Sequence, residues 1–182
     1  MNQLRTLCVM GTFDSKTNQE VFCMREQLKA QGICIDVYEP HITFGIYTAL
    51  DETSLREWIG DIASEQKRIQ LCFNYFGFFP DARLCFLAPC PSYDLLQLHS
   101  NIHKKYDACC MDAGCLYSLK QKSWAPHMTM ASIEPGQAEK LLSLLRGAFS
   151  PFTAELTHLK ITASDASQDI GVFELMHGIH AG

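Results

Sequence analysis

Two short stretches of the chain share one pattern of residue types that could support acid–base chemistry. Residues 40–44 read P-H-I-T-F and residues 126–130 read P-H-M-T-M, with proline, histidine and threonine at matching positions. Proline before a His-x-Thr triplet, with apolar residues at the other two positions, is expected by chance roughly 0.003 times in such a chain. Two copies therefore indicate a shared structural or chemical role.

The spacing within each motif predicts which side chains project together. In a β-strand, side chains two positions apart lie on the same face. We therefore expect His41 and Thr43 to share one face, and His127 and Thr129 to share another, with the apolar residues between them in the core. If a pseudo-twofold axis relates the strands, the four polar side chains face one another across a cleft. Two unrelated strands with solvated faces would explain the alternation but not the matching proline and histidine.

Two imidazoles and two hydroxyls suit an in-line displacement at phosphorus. Because histidine titrates near pH 6.5, one neutral imidazole can take a proton from the attacking water while a protonated one gives a proton to the departing oxygen. The threonine hydroxyls can donate hydrogen bonds to the non-bridging phosphate oxygens, where charge develops. This chemistry requires no metal, so we expect neither a metal site nor a cofactor.

The rest of the sequence predicts the elements that hold these strands. Hydrophobic periodicity predicts a hairpin turned at Pro80-Asp81 and a helix opened by Pro135. The order strand, helix, His-strand, helix, hairpin is followed by helix, His-strand, helix, hairpin, which is a weak internal duplication. Such elements predict an α+β fold with largely antiparallel sheets. The other predicted strands lie near residues 5–10, 41–47, 127–133, 152–163 and 169–176, and the other helices near 13–32, 52–67 and 92–108.

Composition limits the class of protein. The 182 residues are 47% apolar and 19% charged, as in an ordinary globular chain. No apolar run reaches the roughly 18–20 residues that span a bilayer, and the start lacks the regions of a secretory signal, so we expect a cytoplasmic protein without a membrane partner. The net charge of −5 argues against a groove for duplex DNA. Nine cysteines without a C-x-x-C pair indicate a reducing compartment rather than disulfides or structural zinc.

Other candidate site residues carry weaker signals. His99 and His103 are spaced i, i+4 on a predicted helix, a spacing that can chelate zinc, but no H-E-x-x-H glutamate lies between them. We interpret both as solvated helix positions. Tyr47 and Trp124 lie close in sequence to the motifs and could stack on a nucleobase, which is worth roughly 1–3 kcal/mol per base. A place in the core is the alternative for such aromatic residues, including Phe79.

The paired P-H-I-T-F and P-H-M-T-M strands, with their separation and the chain length, resemble the 2H phosphoesterase superfamily. Within it the chain is most similar to the bacterial 2′-5′ RNA ligase or RNA 2′,3′-cyclic phosphodiesterase-like proteins. The resemblance implies a bilobal fold with a pseudo-twofold duplication, in which antiparallel sheets flank a central cleft and helices lie outside. Residues 1–182 would form a single domain of two lobes, each with one His-x-Thr strand.

The resemblance also implies roles for the motif residues, which the sequence alone treats alike. His41 would be the proton donor to the leaving ribose oxygen, and His127 the base that activates water. Thr43 and Thr129 would hold the phosphate. Tyr47 and Trp124 remain candidates for contacts with the base.

The expected reaction is hydrolysis of a 2′,3′-cyclic phosphate, at an RNA end or on a small nucleotide, to a 2′-phosphate, which would be a step of RNA processing. One alternative is hydrolysis or ligation of 2′-5′ phosphodiester linkages in the same cleft. Another is a non-catalytic module that binds nucleotides or RNA ends. Pure binding would not need two proton-transfer groups, and no protein partner is indicated.

Overall fold

The computed structural model describes residues 5–79, 83–110, 116–163 and 169–178, and the elements in these ranges form an α+β fold. The turn expected at Pro80-Asp81 lies outside the described residues. The helices are α1 (Ser15–Ala30), α2 (Glu52–Glu65), α3 (Tyr93–Tyr106) and α4 (Ala138–Ala148). The strands are β1 (Leu7–Phe13), β2 (Cys34–Ile35), β3 (His41–Tyr47), β4 (Ile69–Phe79), β5 (Leu84–Pro89), β6 (Met128–Ser132), β7 (Phe152–Ala163) and β8 (Asp169–Glu174).

All eight strands belong to one hydrogen-bonded antiparallel sheet in which β4 joins two halves. The strand order is β2-β6-β5-β4-β7-β1-β3, and β8 pairs with β7. The first part of β4, residues 69–73, pairs with β7, and the second part, residues 73–79, pairs with β5. We call β3, β1, β7 and β8 the β3 half, and β5, β6 and β2 the β6 half. The α+β class and the pseudo-duplication predicted from the sequence are confirmed, with the two sheets continuous through β4.

Each half of the sheet is covered by two helices. Helices α2 and α3 pack on the β3 half, whereas α1 packs against β2 and α4 on the β6 half. Leu28 of α1 and Leu141 of α4 share a cluster with Cys85 and Ala131 of the β6 half. Helix α1 follows β1 in sequence and reaches from one half to the other, since it contacts β7 as well as β2, and β2 then pairs with β6. The chain therefore crosses between the halves immediately before the first histidine strand.

Helix α4 begins later than the sequence indicated. Pro135 and Gly136 form a turn in which Gln137 donates its N–H to the carbonyl of Glu134 at 3.0 Å. Gly136 has φ of +82°, the left-handed value that the third position of a type II turn requires. Because a helix cannot continue through that conformation, it begins at Ala138, and the prediction that Pro135 opens it was wrong.

Two further findings concern the described part of the chain. None of the helices in these ranges is long and apolar enough to cross a membrane. The eight cysteines that lie in the same ranges are all free thiols.

Candidate active site

The two motif strands show the alternation that the sequence predicts. Ile42 and Phe44 of β3 are fully buried, as are Met128 and Met130 of β6. The histidine and threonine of each motif are half-buried, on the opposite side of their strand from the core. We call the face that carries these four side chains the cleft face.

Each motif histidine is held by a carbonyl of its own chain. The Nδ1 atom of His41 lies 2.7 Å from the carbonyl oxygen of Glu39, and Nδ1 of His127 lies 2.8 Å from that of Ala125. Since a carbonyl only accepts, Nδ1 carries the proton in both rings, and Nε2 of the neutral imidazole is left as an acceptor. The intervening proline fixes its own φ and favours an extended residue before it, which presets the position of that carbonyl.

The surroundings of His127 are aromatic. Its ring centroid lies 4.9 Å from that of Phe79 and 5.5 Å from that of Phe86, and the two phenylalanines stack at 4.3 Å. The stack depends on Gly77, because a Cβ there would lie 2.6 Å from the Phe86 ring. Desolvation by these neighbours lowers the pKa of His127 below its usual value, although the bond to the Ala125 carbonyl acts in the opposite direction.

The surroundings of His41 are polar. Across β1 its direct neighbour is Thr12. The Glu39 carboxylate accepts hydrogen bonds from Lys160 at 2.8 Å and from Asn18 at 3.4 Å. Lys160 also pairs with Asp169 at 2.9 Å, so its charge is balanced on two sides.

The structure brings the two motifs together across the cleft. The β3 and β6 strands are in contact, although the sheet order separates them by five steps. Repulsion from His41 also acts to lower the pKa of His127. Two Nε2 atoms and two threonines therefore share one cleft, an arrangement able to move one proton in and one proton out.

Thr43 has a neighbour that sequence reasoning did not identify. Its side chain interacts with the phenol of Tyr117 and with the thiol of Cys8. Burial raises the pKa of Cys8 to about 11, so this thiol stays protonated at neutral pH. Burial likewise raises the pKa of Tyr117, which keeps the phenol a hydrogen-bond donor. No local pattern in the sequence signals Tyr117, because it reaches β3 from a distant segment.

The two aromatic candidates occupy different places from the motif side chains. Tyr47 is fully buried in the core, with its ring 5.8 Å from that of His103, and it offers no free face to a base. Trp124 donates its indole N–H to the carbonyl of Thr43 at 3.1 Å. One face of its ring stacks on His99 at 3.8 Å with an interplanar angle of 2°. Trp124 therefore lies next to the site and is half-buried, and its base contact stays a prediction.

The interpretation of His99 and His103 as solvated positions was wrong. Both are buried, with 5% and 1% of their surface exposed. His99 Nε2 lies 2.9 Å from the carbonyl of Tyr117, and His103 Nε2 lies 2.8 Å from that of Phe44. Desolvation, together with repulsion from the nearby His103, lowers the pKa of His99 to about 4. Both rings therefore support the segments that surround Thr43.

A sequence signal for this burial exists. His99 lies four residues after Leu95 and four before His103, which places both histidines on the apolar stripe of α3. Among the described residues, no group of three or more His, Cys, Asp or Glu side chains is arranged to hold a metal ion.

Comparison with known proteins gives a family and a fold. The family model described as 2′-5′ RNA ligase superfamily matches residues 35–168, well over half of the chain and both motifs. Comparison with curated protein sequences gave no match.

Similar solved structures cover nearly the whole chain. LigT of E. coli in its apo form superposes with a TM-score of 0.67 and 15% identity, covering 96% of this chain and 99% of its own. TT0787 of Thermus thermophilus gives a TM-score of 0.69 and 13% identity, with 93% and 97% covered. Usb1 of Kluyveromyces marxianus gives 0.52 and 15%, with 95% and 99% covered. At these identities the likeness shows a shared fold.

Proposed function

Because the chain belongs to the 2′-5′ RNA ligase superfamily, whose members are 2H phosphoesterases, we propose that it is a metal-independent phosphodiesterase. Its substrate is a 2′,3′-cyclic phosphate at an RNA end or on a small nucleotide, and its product is a 2′-phosphate. One observation carries the proposal: both histidines are anchored through Nδ1, which leaves two Nε2 atoms for one cleft. Two positioned imidazoles supply both proton transfers that the reaction needs.

The different surroundings of the histidines support a division of roles. His127, with its lowered pKa, is neutral at pH 7, and its Nε2 takes a proton from the attacking water. The water oxygen bonds to phosphorus as the bond from phosphorus to the ribose O3′ breaks. In this division His41 is the general acid, and its Nε2 proton goes to O3′. This division agrees with the roles that the family resemblance implies.

The threonines serve the phosphate. Thr43 and Thr129 lie two residues after the histidines on the same face, where their hydroxyls can donate to the non-bridging oxygens. The Tyr117 phenol beside Thr43 adds a third donor to this group. Hydroxyl donors favour the transition state because charge on those oxygens increases as the ring opens.

The net charge of the chain supports a small substrate. A net charge of −5 disfavours long nucleic acid and favours a short end or a free nucleotide. The similar LigT of E. coli has been crystallised with 3′-AMP and with phosphate, which are ligands of this size. We place the enzyme in the cytoplasm, where its free thiols would persist.

A 2′-5′ phosphodiester is the second candidate substrate, because the matching family model is described as 2′-5′ RNA ligase superfamily. The same four side chains could cleave or join a 2′-5′ phosphodiester. A non-catalytic nucleotide- or RNA-end-binding module is the third interpretation of the cleft.

The test is hydrolysis of the four nucleoside 2′,3′-cyclic phosphates in excess EDTA. Wild type is compared with His41→Ala and His127→Ala, and with His177→Ala as a matched control. His177 is an exposed histidine that pairs with Glu174 at 3.3 Å, outside the motifs. We expect release of 2′-phosphates by wild type and by the control, and its loss in both motif variants.

Two other outcomes would assign the protein a different substrate or a non-catalytic function. Activity confined to 2′-5′-linked dinucleotides would transfer the proposal to that class. Binding of nucleotides without turnover, unchanged in the double histidine variant, would identify a binding module and overturn the proposal.

A further inference from the structure

The segments that lead into the two motif histidines are each fastened to the strand of the other histidine. We define these lead-in segments as residues 36–40 and residues 124–126. The first begins beside β6: β2 pairs with β6, and Asp36 donates its N–H to the carbonyl of Met130 at 3.0 Å. The second begins beside β3, through the bond from the Trp124 indole to the Thr43 carbonyl.

Arg25 completes the first of these connections. Its side chain is fully buried, and its guanidinium donates to the carbonyl of Thr129 at 2.6 Å, to the carbonyl of Tyr38 and to the carboxylate of Asp36 at 3.1 Å. Tyr38 stands three residues before His41. The guanidinium therefore joins the lead-in of the first motif to the threonine carbonyl of the second.

Trp124 makes the reciprocal connection. It stands three residues before His127, and its acceptor is the carbonyl of the threonine in the first motif. In both cases a side-chain donor binds the threonine carbonyl of one motif and fixes the residue three positions before the histidine of the other. The two connections differ in chemistry, guanidinium against indole, but they join equivalent positions.

These connections matter because the sheet alone positions the histidines poorly. Five strand steps separate β3 from β6, which at about 4.8 Å a step is roughly 24 Å of hydrogen-bonded path. Small changes in twist at each step would add up over this path. A direct side-chain hydrogen bond between the two motif regions fixes their separation through one contact, independently of the twist of the five strand pairs.

We propose that Arg25 and Trp124 are positioning residues that set the separation of His41 and His127 across the cleft. This inference rests on the proposed function only in that the two histidines act together. Buried partners of a guanidinium are costly to leave unpaired, which makes the contact rigid.

The experiment uses Trp124→Phe, which removes the indole N–H and keeps an aromatic ring on His99. Its matched control is Trp58→Phe, because Trp58 donates the same kind of bond to the Ile102 carbonyl at 3.0 Å, between α2 and α3 and away from the cleft. Arg25→Lys provides a second variant with its charge retained. Thermal unfolding of each variant reports the effect on stability.

Two readouts separate positioning from stability. The first is the NMR titration of His127 with and without His41→Ala, which measures how strongly the two rings repel each other's protons. The second is the split between kcat and KM on the cyclic phosphate. We expect Trp124→Phe to change the mutual effect of the histidines and to lower kcat by on the order of tenfold with little change in KM, since misplacement by about 1 Å is costly.

The proposal is overturned if Trp124→Phe and Trp58→Phe lose similar stability and neither variant changes the histidine titration or kcat relative to wild type. Should Arg25→Lys fail to fold, the tryptophan pair decides alone. If wild type shows no turnover, the proposed function fails, and the NMR titration still tests the positioning role by itself.

Discussion

The two motif histidines have the same local anchor and opposite surroundings. His41 and His127 each bond through Nδ1 to the carbonyl two residues earlier. Beyond that bond, His127 lies against Phe79 and Phe86, whereas His41 lies beside Thr12. The common anchor leaves the same nitrogen, Nε2, free in both rings, and the apolar neighbours of His127 lower the pKa of that ring below its usual value. A duplicated motif can thus place its two histidines in different environments.

The largest expected effect comes from removing either imidazole. His41→Ala and His127→Ala should each lower kcat/KM on a 2′,3′-cyclic phosphate by roughly 10²–10⁴-fold. Wild type should show a bell-shaped pH profile, because the base must be neutral and the acid protonated.

The pH dependence of the residual activity tests whether the two surroundings divide the roles. The acid limb of the profile should vanish in His127→Ala, and the alkaline limb in His41→Ala. Loss of the same limb in both variants would show that the two surroundings do not divide the roles.

The threonines should give the next largest effect, and an unequal one. Thr129→Val should lower kcat by roughly 10²-fold, as expected when a donor to a developing oxyanion is lost. Thr43→Val should lose only about tenfold, because the Tyr117 phenol remains beside the site and can donate in its place. Single-turnover rates on the cyclic phosphate measure both losses.

Two variants check the reason for that inequality. Adding Tyr117→Phe to Thr43→Val should bring its loss to that of Thr129→Val, and serine at either position should restore most of the rate. Equal losses in the two single variants would remove Tyr117 from the phosphate site.

The aromatic wall should give a smaller effect that depends on pH. In Phe79→Asn, water and the amide resolvate His127, so its pKa rises toward the ordinary value. The base is then protonated at a higher pH, and the acid limb moves to higher pH while the alkaline limb stays in place. We expect a loss of less than about tenfold at pH 6 and little change at pH 8.

The matched control for this prediction is Phe79→Leu, which keeps the wall apolar. Its acid limb should stay close to that of wild type in the same kinetic titration. A shift of both limbs in Phe79→Asn would point to general disorder of the cleft instead of an effect on one imidazole.

The smallest effect is expected at Glu39. Glu39→Ala removes the contacts with Lys160 and Asn18 but keeps the carbonyl that holds His41. Because a partly exposed ion pair contributes about 0–1 kcal/mol, kcat/KM should change by less than about fivefold. A loss comparable to that of His41→Ala would mean that the side chain, and not the carbonyl, holds the ring.

Burial and strand position could be predicted from the sequence where the hydrophobic pattern lies within one element. The period-2 alternation around His41 and His127 identified both site strands and the buried residues between the polar ones. The two histidines of α3 carried an equally local signal, since their spacing from Leu95 put them on the apolar stripe. That stripe also has a counterpart on α1, where Arg25 lies four residues after Val21 and is buried with it.

The unpredictable part consists of contacts between segments far apart in the chain. Nothing near Tyr117 specifies that its phenol meets Thr43, and nothing near Phe79 specifies that it lies beside His127. Such contacts depend on how the two halves of the sheet curve toward each other, which is a sum over many strand pairs. Likewise, no signal in the sequence indicates that the rings of Tyr47 and Trp124 lie against His103 and His99.

The use of main-chain carbonyls as anchors also has a consequence for mutational robustness. Every residue type supplies the same main-chain carbonyl, so substitutions at the two anchor positions do not remove the acceptor. The two positions differ in this chain, since one is Glu39 and the other is Ala125. The anchoring contact itself therefore depends on the proline and the histidine of each motif and on no particular residue type at the anchor position. The two motifs can therefore be recognised in a chain that shares only 12–15% of its residues with solved proteins of the same fold.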